Sequence, residues 1–424
     1  MYPFQRSPSV GLGSNELPSQ NSVHRSGSGI PMHWNAVYYA NWRANDMPPP
    51  SSLNLGYISH IFYAFACNEW VDERQPVDGT EGYLRALVHR KRDSKVKVLL
   101  SIGGGGNGGD IVGSRNFAAV AASPVAVERF LSSAADLMHK FQLDGLDINW
   151  EHPETLEQGY DYNTLLYRLR ERFPSPAYLL TTALSAGEWV LSKINLVEAH
   201  LYVDLINLMT YDFSGPWMPL SGHHAQLYAP PDPQKATLEA TAATTTSATT
   251  SGSSGVAYLL SWGVPAGKIL LGIPVYGRAF PGANGINQPY ERGTAGGEKV
   301  FDYRELPLPG TEEVHDAVFC AAYCVDFGGG GGGSSSSSGG GGGGGGGEGP
   351  AAGFISYDSP RTVMQKAQFV SEYELGGLFY WHLAADAEVG TERSLVATGY
   401  RALHSWMMST SNGGAGGKRR RGGG

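Results

Sequence analysis

Cysteine is scarce, with only Cys67, Cys320 and Cys324 in 424 residues. So low and odd a count gives no disulfide framework. On one strand Cys320 and Cys324 would stand too far apart to bridge. With His315 nearby they still leave a zinc site one ligand short, so no metal is expected. Long apolar runs are missing too, and no segment is expected to cross a membrane. The residues up to about Pro31 are rich in Ser, Gly, Pro and Asn and read as disordered rather than as a secretory signal. As written, the chain is expected in the cytoplasm, or secreted if further residues precede this start. Basic charge is thin as well. A net charge of −8 argues against general nucleic-acid binding. The only basic run, Lys418–Arg421, sits among glycines and reads with the rest of 405–424 as a disordered tail.

Glycine is abundant at 59 residues, which weakens one tempting signal. Gly104, Gly106 and Gly109 mimic a dinucleotide fingerprint. No acidic residue follows where a ribose would need it, and no Lys-Ser/Thr pair marks a phosphate loop. Nucleotide binding is therefore not expected.

Hydrophobic residues make up 41% of the chain, enough for a large core. Eight strand-like segments occur: Ala36–Trp42, Tyr57–Cys67, Lys95–Gly103, Leu143–Glu151, Tyr178–Ala186, Val203–Phe213, Lys268–Gly277 and Leu375–His382. Most are near-continuous apolar runs, as in parallel strands buried on both faces. Helical patterns lie between them. In Pro124–Phe141, Ser123 can cap, Pro124 takes the first position, and Val127, Phe130, Leu131, Ala134, Leu137, Met138 and Phe141 share a face. Tyr162–Phe173 and Val363–Tyr373 show similar faces. Alternation repeated eight times predicts an α/β fold, a (β/α)8 TIM barrel. The span between strands seven and eight is too long for a loop and predicts a small α+β insertion. The expected division is a disordered segment 1–34, a barrel from 35–280 plus 359–404, an insertion at 281–358 holding a Gly/Ser-rich tract at 328–349, and the tail 405–424. A further Ala/Thr/Ser-rich stretch, Ala236–Gly255, is expected to extend a helix into a flexible loop.

Leu143–Glu151 is the most informative strand. Side chains alternate, so Asp147, Asn149 and Glu151 share one face and Leu146, Ile148 and Trp150 the other. Clustered carboxylates on a buried strand perturb one another's proton affinity, as active sites require. In such a barrel the site lies at the C-terminal strand ends. Glu151, Trp42, Trp381, the Tyr211-Asp212 pair and Arg278 are all expected there, with Trp217 in the loop after strand six. Trp217 and Trp381 beside carboxylates suggest a sugar site, and Trp150 suits core packing.

These motifs resemble glycoside hydrolase family 18, the chitinases, and especially its fungal members with an inserted domain. The resemblance runs from about Ala36 to Ala385. It includes Val37–Trp42, Tyr63–Phe65, Leu100–Gly104, Asp144–Glu151, Met209–Phe213, Pro274–Phe280 and Gly376–Trp381, in order. It implies hydrolysis of β-1,4-linked N-acetylglucosamine polymers by substrate-assisted retaining catalysis, without metal or organic cofactor. It implies Glu151 as the acid, Tyr211 holding the substrate acetamido group and Trp381 flooring the sugar. It also implies Asp147, Tyr38 and Ser101 as supporting groups, and Met209, Asp212, Tyr276, Arg278 and Trp217 as sugar contacts. The implied partner is chitin or a chito-oligosaccharide, with the chain acting as a monomer. There are four departures from the family pattern. Asn149 replaces the third Asp of the signature. Gly105 replaces an aromatic after Ser-Ile-Gly-Gly, which is expected to thin one wall of the cleft. His382 replaces the acidic residue common after the final Trp, and the Gly/Ser tract enlarges the insertion. Asn149 is expected to slow the enzyme. A chitin-binding lectin and an endo-β-N-acetylglucosaminidase acting on N-linked glycans are the alternatives.

Overall fold

Buried peptide groups need partners, and an apolar run hidden on both faces finds them most completely in a parallel sheet with no edges. The computed structural model describes residues 33–66, 82–105, 112–229, 250–292, 299–328 and 351–412. In it the eight runs become β1 (Trp34–Ala40), β2 (His60–Ala64), β3 (Lys97–Gly103), β4 (Gly145–Asn149), β5 (Leu179–Ser185), β6 (Leu205–Met209), β7 (Ile269–Pro274) and, last in the chain, β13 (Gly377–Trp381). They close as a parallel barrel in which β13 returns to pair with both β7 and β1. Ala36, Phe62, Leu99, Ala183, Leu205, Leu270 and Phe379 fill its interior.

Helices cover the outside. In Pro124–Phe141, Ser123 Oγ accepts from the Ala126 N–H, Gln142 ends the helix in the left-handed region, and Val127, Leu131, Ala134, Met138 and Phe141 are buried. Pro360–Glu372 starts on a capping box between Ser359 and Thr362. None of the helices among the described residues is long and apolar enough to cross a membrane.

Between β7 and β13 the chain builds a second, antiparallel sheet. Its strands are β8 (Tyr276–Phe280), β9 (Val300–Asp302), β10 (Val314–Asp316), β11 (Ala321–Asp326) and β12 (Gly353–Tyr357), in the order β10-β11-β12-β8-β9. Together with the barrel this is the (β/α)8 architecture with an insertion between strands seven and eight.

Three sequence expectations need correction. The apolar run Lys268–Gly277 is not one strand. It leaves the barrel after Pro274, and Tyr276 already belongs to the inserted sheet. Arg278 therefore stands on β8 and not at a barrel strand end. The first strand stops at Ala40, and Trp42 lies in a 3-10 turn, Asn41–Asp46. The helix Leu395–Asn412 continues into the stretch assigned to a disordered tail. Residues 1–32, 413–424, most of the Gly/Ser tract and 236–249 lie outside the described residues. Of the Ala/Thr/Ser stretch, Ser251 is described, and it caps the helix Gly252–Ser261.

Candidate active site

The site starts from register. Ser101, Asp147 and Thr181 are direct partners across β3, β4 and β5. All three therefore point into the barrel, as does Tyr38 from β1. Asp147 Oδ2 accepts from Tyr38 Oη at 2.9 Å and from Ser101 Oγ at 2.7 Å. Its Oδ1 accepts from Thr181 Oγ1 at 2.6 Å and from Asn207 Nδ2 at 3.2 Å. Burial raises the proton affinity of Asp147, and these four donors only partly offset it. Asp147 and Ser101 lie beneath the cleft, as a support. Thr181 and Asn207 were missed in the sequence. Their signal was available: polar side chains at inward positions of otherwise apolar strands.

Two residues on, Asn149 reaches the cleft lining. Its amide hydrogen-bonds the Glu151 carboxylate, while its Oδ1 is buried without a hydrogen-bond partner. Glu151 sits just past β4 and keeps part of its surface open to the cleft. Burial pushes its carboxyl up to about 7, the Asp212 charge adds to this, and hydrogen bonds from the Gly105 N–H and Asn149 oppose it. Gly103, at φ 113°, lets β3 turn against β4, because a side chain there would meet the Asn149 carbonyl.

The cleft holds about 590 Å³ and is lined by Tyr38, Met209, Tyr211, Trp217, Tyr276, Arg278 and Trp381 as well as Asn149, Glu151 and Asp212. Trp381 packs on Phe65 at 5.6 Å and edges against Tyr38 at 5.2 Å. The Tyr211 hydroxyl is kept protonated by burial and by the charges of Glu151, Asp212 and Asp147. Asp212, at φ 61°, anchors the far wall. Its Oδ1 accepts from Tyr276 Oη at 2.6 Å and from Arg278 Nε at 2.6 Å, with His224 Nδ1 at 3.6 Å. Burial works against this carboxylate, but His224 and Arg278 outweigh it and hold Asp212 well below the usual carboxylate range. The Arg278 guanidinium lies 4.9 Å from the centre of the Trp217 ring, fixing that exposed indole at the rim.

Trp42 stands in the turn after β1 and not on the strand; it is exposed, stacks on Phe65 at 5.9 Å and lies 6.2 Å from the Trp381 ring. Other lining residues were not foreseen. Arg43 pairs with Asp302 at 2.7 Å, joining the first barrel loop to β9. His152 and the exposed Trp189 meet edge to face at 5.4 Å. No spacing in the sequence draws these distant positions together. Among the described residues no group of three His, Cys, Asp or Glu side chains could hold a metal.

A carboxyl held protonated near neutrality, beside an aromatic floor and a fixed acid-base pair, suits acid-catalysed cleavage of a sugar linkage. Comparison with known families decides which kind. The model for glycosyl hydrolases family 18 matches residues 35–386.

This chain belongs to glycosyl hydrolases family 18.

Chitinase 1 of Aphanocladium album is 29% identical over 422 residues, spanning 92% of this chain and 89% of the relative. Endochitinase 1 of Metarhizium robertsii is 30% identical over 386 residues, spanning 84% and 82%. In fold, the chain is similar to the class V chitinase of Nicotiana tobaccum, solved as a mutant in complex with NAG4. The TM-score is 0.67 at 24% identity, covering 88% of this chain and 99% of that one.

Proposed function

We propose that this family 18 hydrolase cleaves β-1,4-N-acetylglucosamine linkages in chitin or chito-oligosaccharides by substrate-assisted retention, at a rate lowered by Asn149. Glu151 carries the reading, because a carboxyl raised to about 7 can hold and deliver a proton at neutral pH. Glu151 protonates the glycosidic oxygen. The acetamido oxygen of the substrate attacks the anomeric carbon, the linkage to the leaving sugar breaks, and an oxazolinium ion forms. Water, with Glu151 now acting as base, opens that ion and returns the proton. Tyr211, kept protonated, donates to the acetamido oxygen. The unpartnered Asn149 Oδ1 accepts from the acetamido N–H, which supplies the partner a buried acceptor requires. Trp381 packs under the sugar. The NAG4 held by the Nicotiana relative supports this substrate class.

A chitin-binding lectin is the second reading, and Asn149 is the observation that favours it, since its amide carries no charge beside Glu151. Incubation with chito-oligosaccharides and product analysis separates the two. Cleavage by the wild type and its loss in Glu151→Gln, with binding kept within about an order of magnitude, is the expected result. Binding without cleavage by the wild type selects the lectin, and full activity in Glu151→Gln removes Glu151 as the donor.

A further inference from the structure

Trp217 is exposed at the rim, and an exposed indole needs a fixed base if it is to meet a ligand without first being ordered. Its base is a turn. The Met218 N–H donates to the Gly215 carbonyl at 2.8 Å and closes Gly215-Pro216-Trp217-Met218. Pro216 takes the second position, where its fixed φ suits the turn. The indole folds back over this turn: a Cβ built on Gly215 would lie 2.5 Å from the ring.

The turn is held from the insertion. Tyr290 is half-buried and meets Phe280 of β8 edge to face at 5.0 Å. Its Oη donates to the Met218 carbonyl at 2.7 Å and lies 3.1 Å from the Gly215 carbonyl, so one hydroxyl spans both ends of the turn. Neighbouring contacts fix a different point. The Ser221 N–H donates to the Gln288 carbonyl at 2.9 Å, and the Asn287 N–H to the Ser221 carbonyl at 2.8 Å. They hold the chain beyond the turn, whereas Tyr290 reaches the turn's own carbonyls.

We propose that Tyr290 is a positioning residue for sugar binding, its hydroxyl fixing the turn that presents Trp217 to an N-acetylglucosamine chain in the cleft. This rests on the cleft taking chito-oligosaccharides. A turn released from the insertion samples more arrangements, and binding must then order it. Ordering of this kind weakens binding by about two- to tenfold for one side chain.

The test is Tyr290→Phe, which removes the hydroxyl and keeps the ring against Phe280. It is made in Glu151→Gln, where hydrolysis is expected to be lost, and read by calorimetric titration with chitohexaose. The expected result is a Kd raised about two- to tenfold. Added to Trp217→Ala, the same change should have no further effect, because the residue it acts through is gone. With Glu151 intact, KM should rise and kcat stay, as for binding shared by ground and transition states. An unchanged Kd, even with a lowered Tm, would make Tyr290 a structural residue only and overturn the proposal. Equal weakening with and without Trp217, or a fall in kcat at constant KM, would overturn it too. Failure of Glu151→Gln itself to bind chitohexaose is a separate outcome. It removes the substrate reading, and this proposal with it.

Discussion

In the proposed mechanism the Asn149 amide keeps the geometry beside Glu151 but brings no charge to the developing oxazolinium ion. Loss of one preorganised electrostatic partner typically costs about 2.7–4 kcal/mol, a hundred- to a thousand-fold in rate. Asn149→Asp should recover part of that. The new carboxylate also disfavours ionisation of Glu151, raising its proton affinity. The acid must be protonated to work, so activity falls as pH rises through its pKa. For the free wild-type enzyme that limb is expected near pH 7, from the raised carboxyl of Glu151. In Asn149→Asp it should move upward, and kcat/KM across a pH series on one chito-oligosaccharide measures both effects. A variant unchanged in rate and limb would show that Asn149 does not face the acid. Much of this site was legible in the strand containing Asp147 and Glu151, because period-two alternation assigns side chains to faces. The cross-strand support was less legible. Thr181 and Asn207 come from separate strands, and the order and register of the strands, which the sequence does not state, bring them to Asp147. Trp42 is not on the first strand, because the backbone leaves the sheet after Ala40.

At the scale of elements, one buried carboxylate caps the start of the helix Leu395–Asn412. Asp386 accepts from the Leu395 and Val396 N–H groups at 2.9 and 3.2 Å, and from Ser394 Oγ at 2.8 Å. These are the donors a helix start leaves without intrahelical partners. Asp386→Ala strands them in a buried setting and should cost at least about 1–3 kcal/mol, read by denaturant unfolding. Burial also raises the Asp386 carboxyl to about 6, above the ordinary value of 3.8. A carboxyl raised by folding contributes stability that is complete below its unfolded pKa and is lost as pH rises through about 6. Asp386→Asn should remove that part of the pH dependence between roughly 4 and 6; an unaltered slope would assign it elsewhere. Sequence periodicity found the barrel strands and the helix Pro124–Phe141 because their burial is regular. It could not separate β7 from β8. Both are fully buried, and the change of sheet at Val275 leaves no polar break in the pattern.

For the whole molecule, barrel and inserted sheet are connected by specific polar contacts. Arg43 meets Asp302, and Tyr303 Oη donates to the Arg393 carbonyl at 2.8 Å. Within the inserted sheet, Asp326 pairs with Gly353, so the Gly/Ser tract joins two positions already side by side. Closure entropy grows slowly with loop length. Replacing 328–349 by a few residues should therefore leave the fold and activity intact and stabilise by only about 1 kcal/mol. A large fall in Tm would show that the tract does more than connect. The central claim, retaining hydrolysis with Glu151 as acid, is tested most directly by following the anomeric protons of new reducing ends by NMR during the first minutes on chitohexaose. The account predicts β-anomers first from the wild type and no new ends from Glu151→Gln; α-anomers first, or undiminished cleavage by Glu151→Gln, would contradict it.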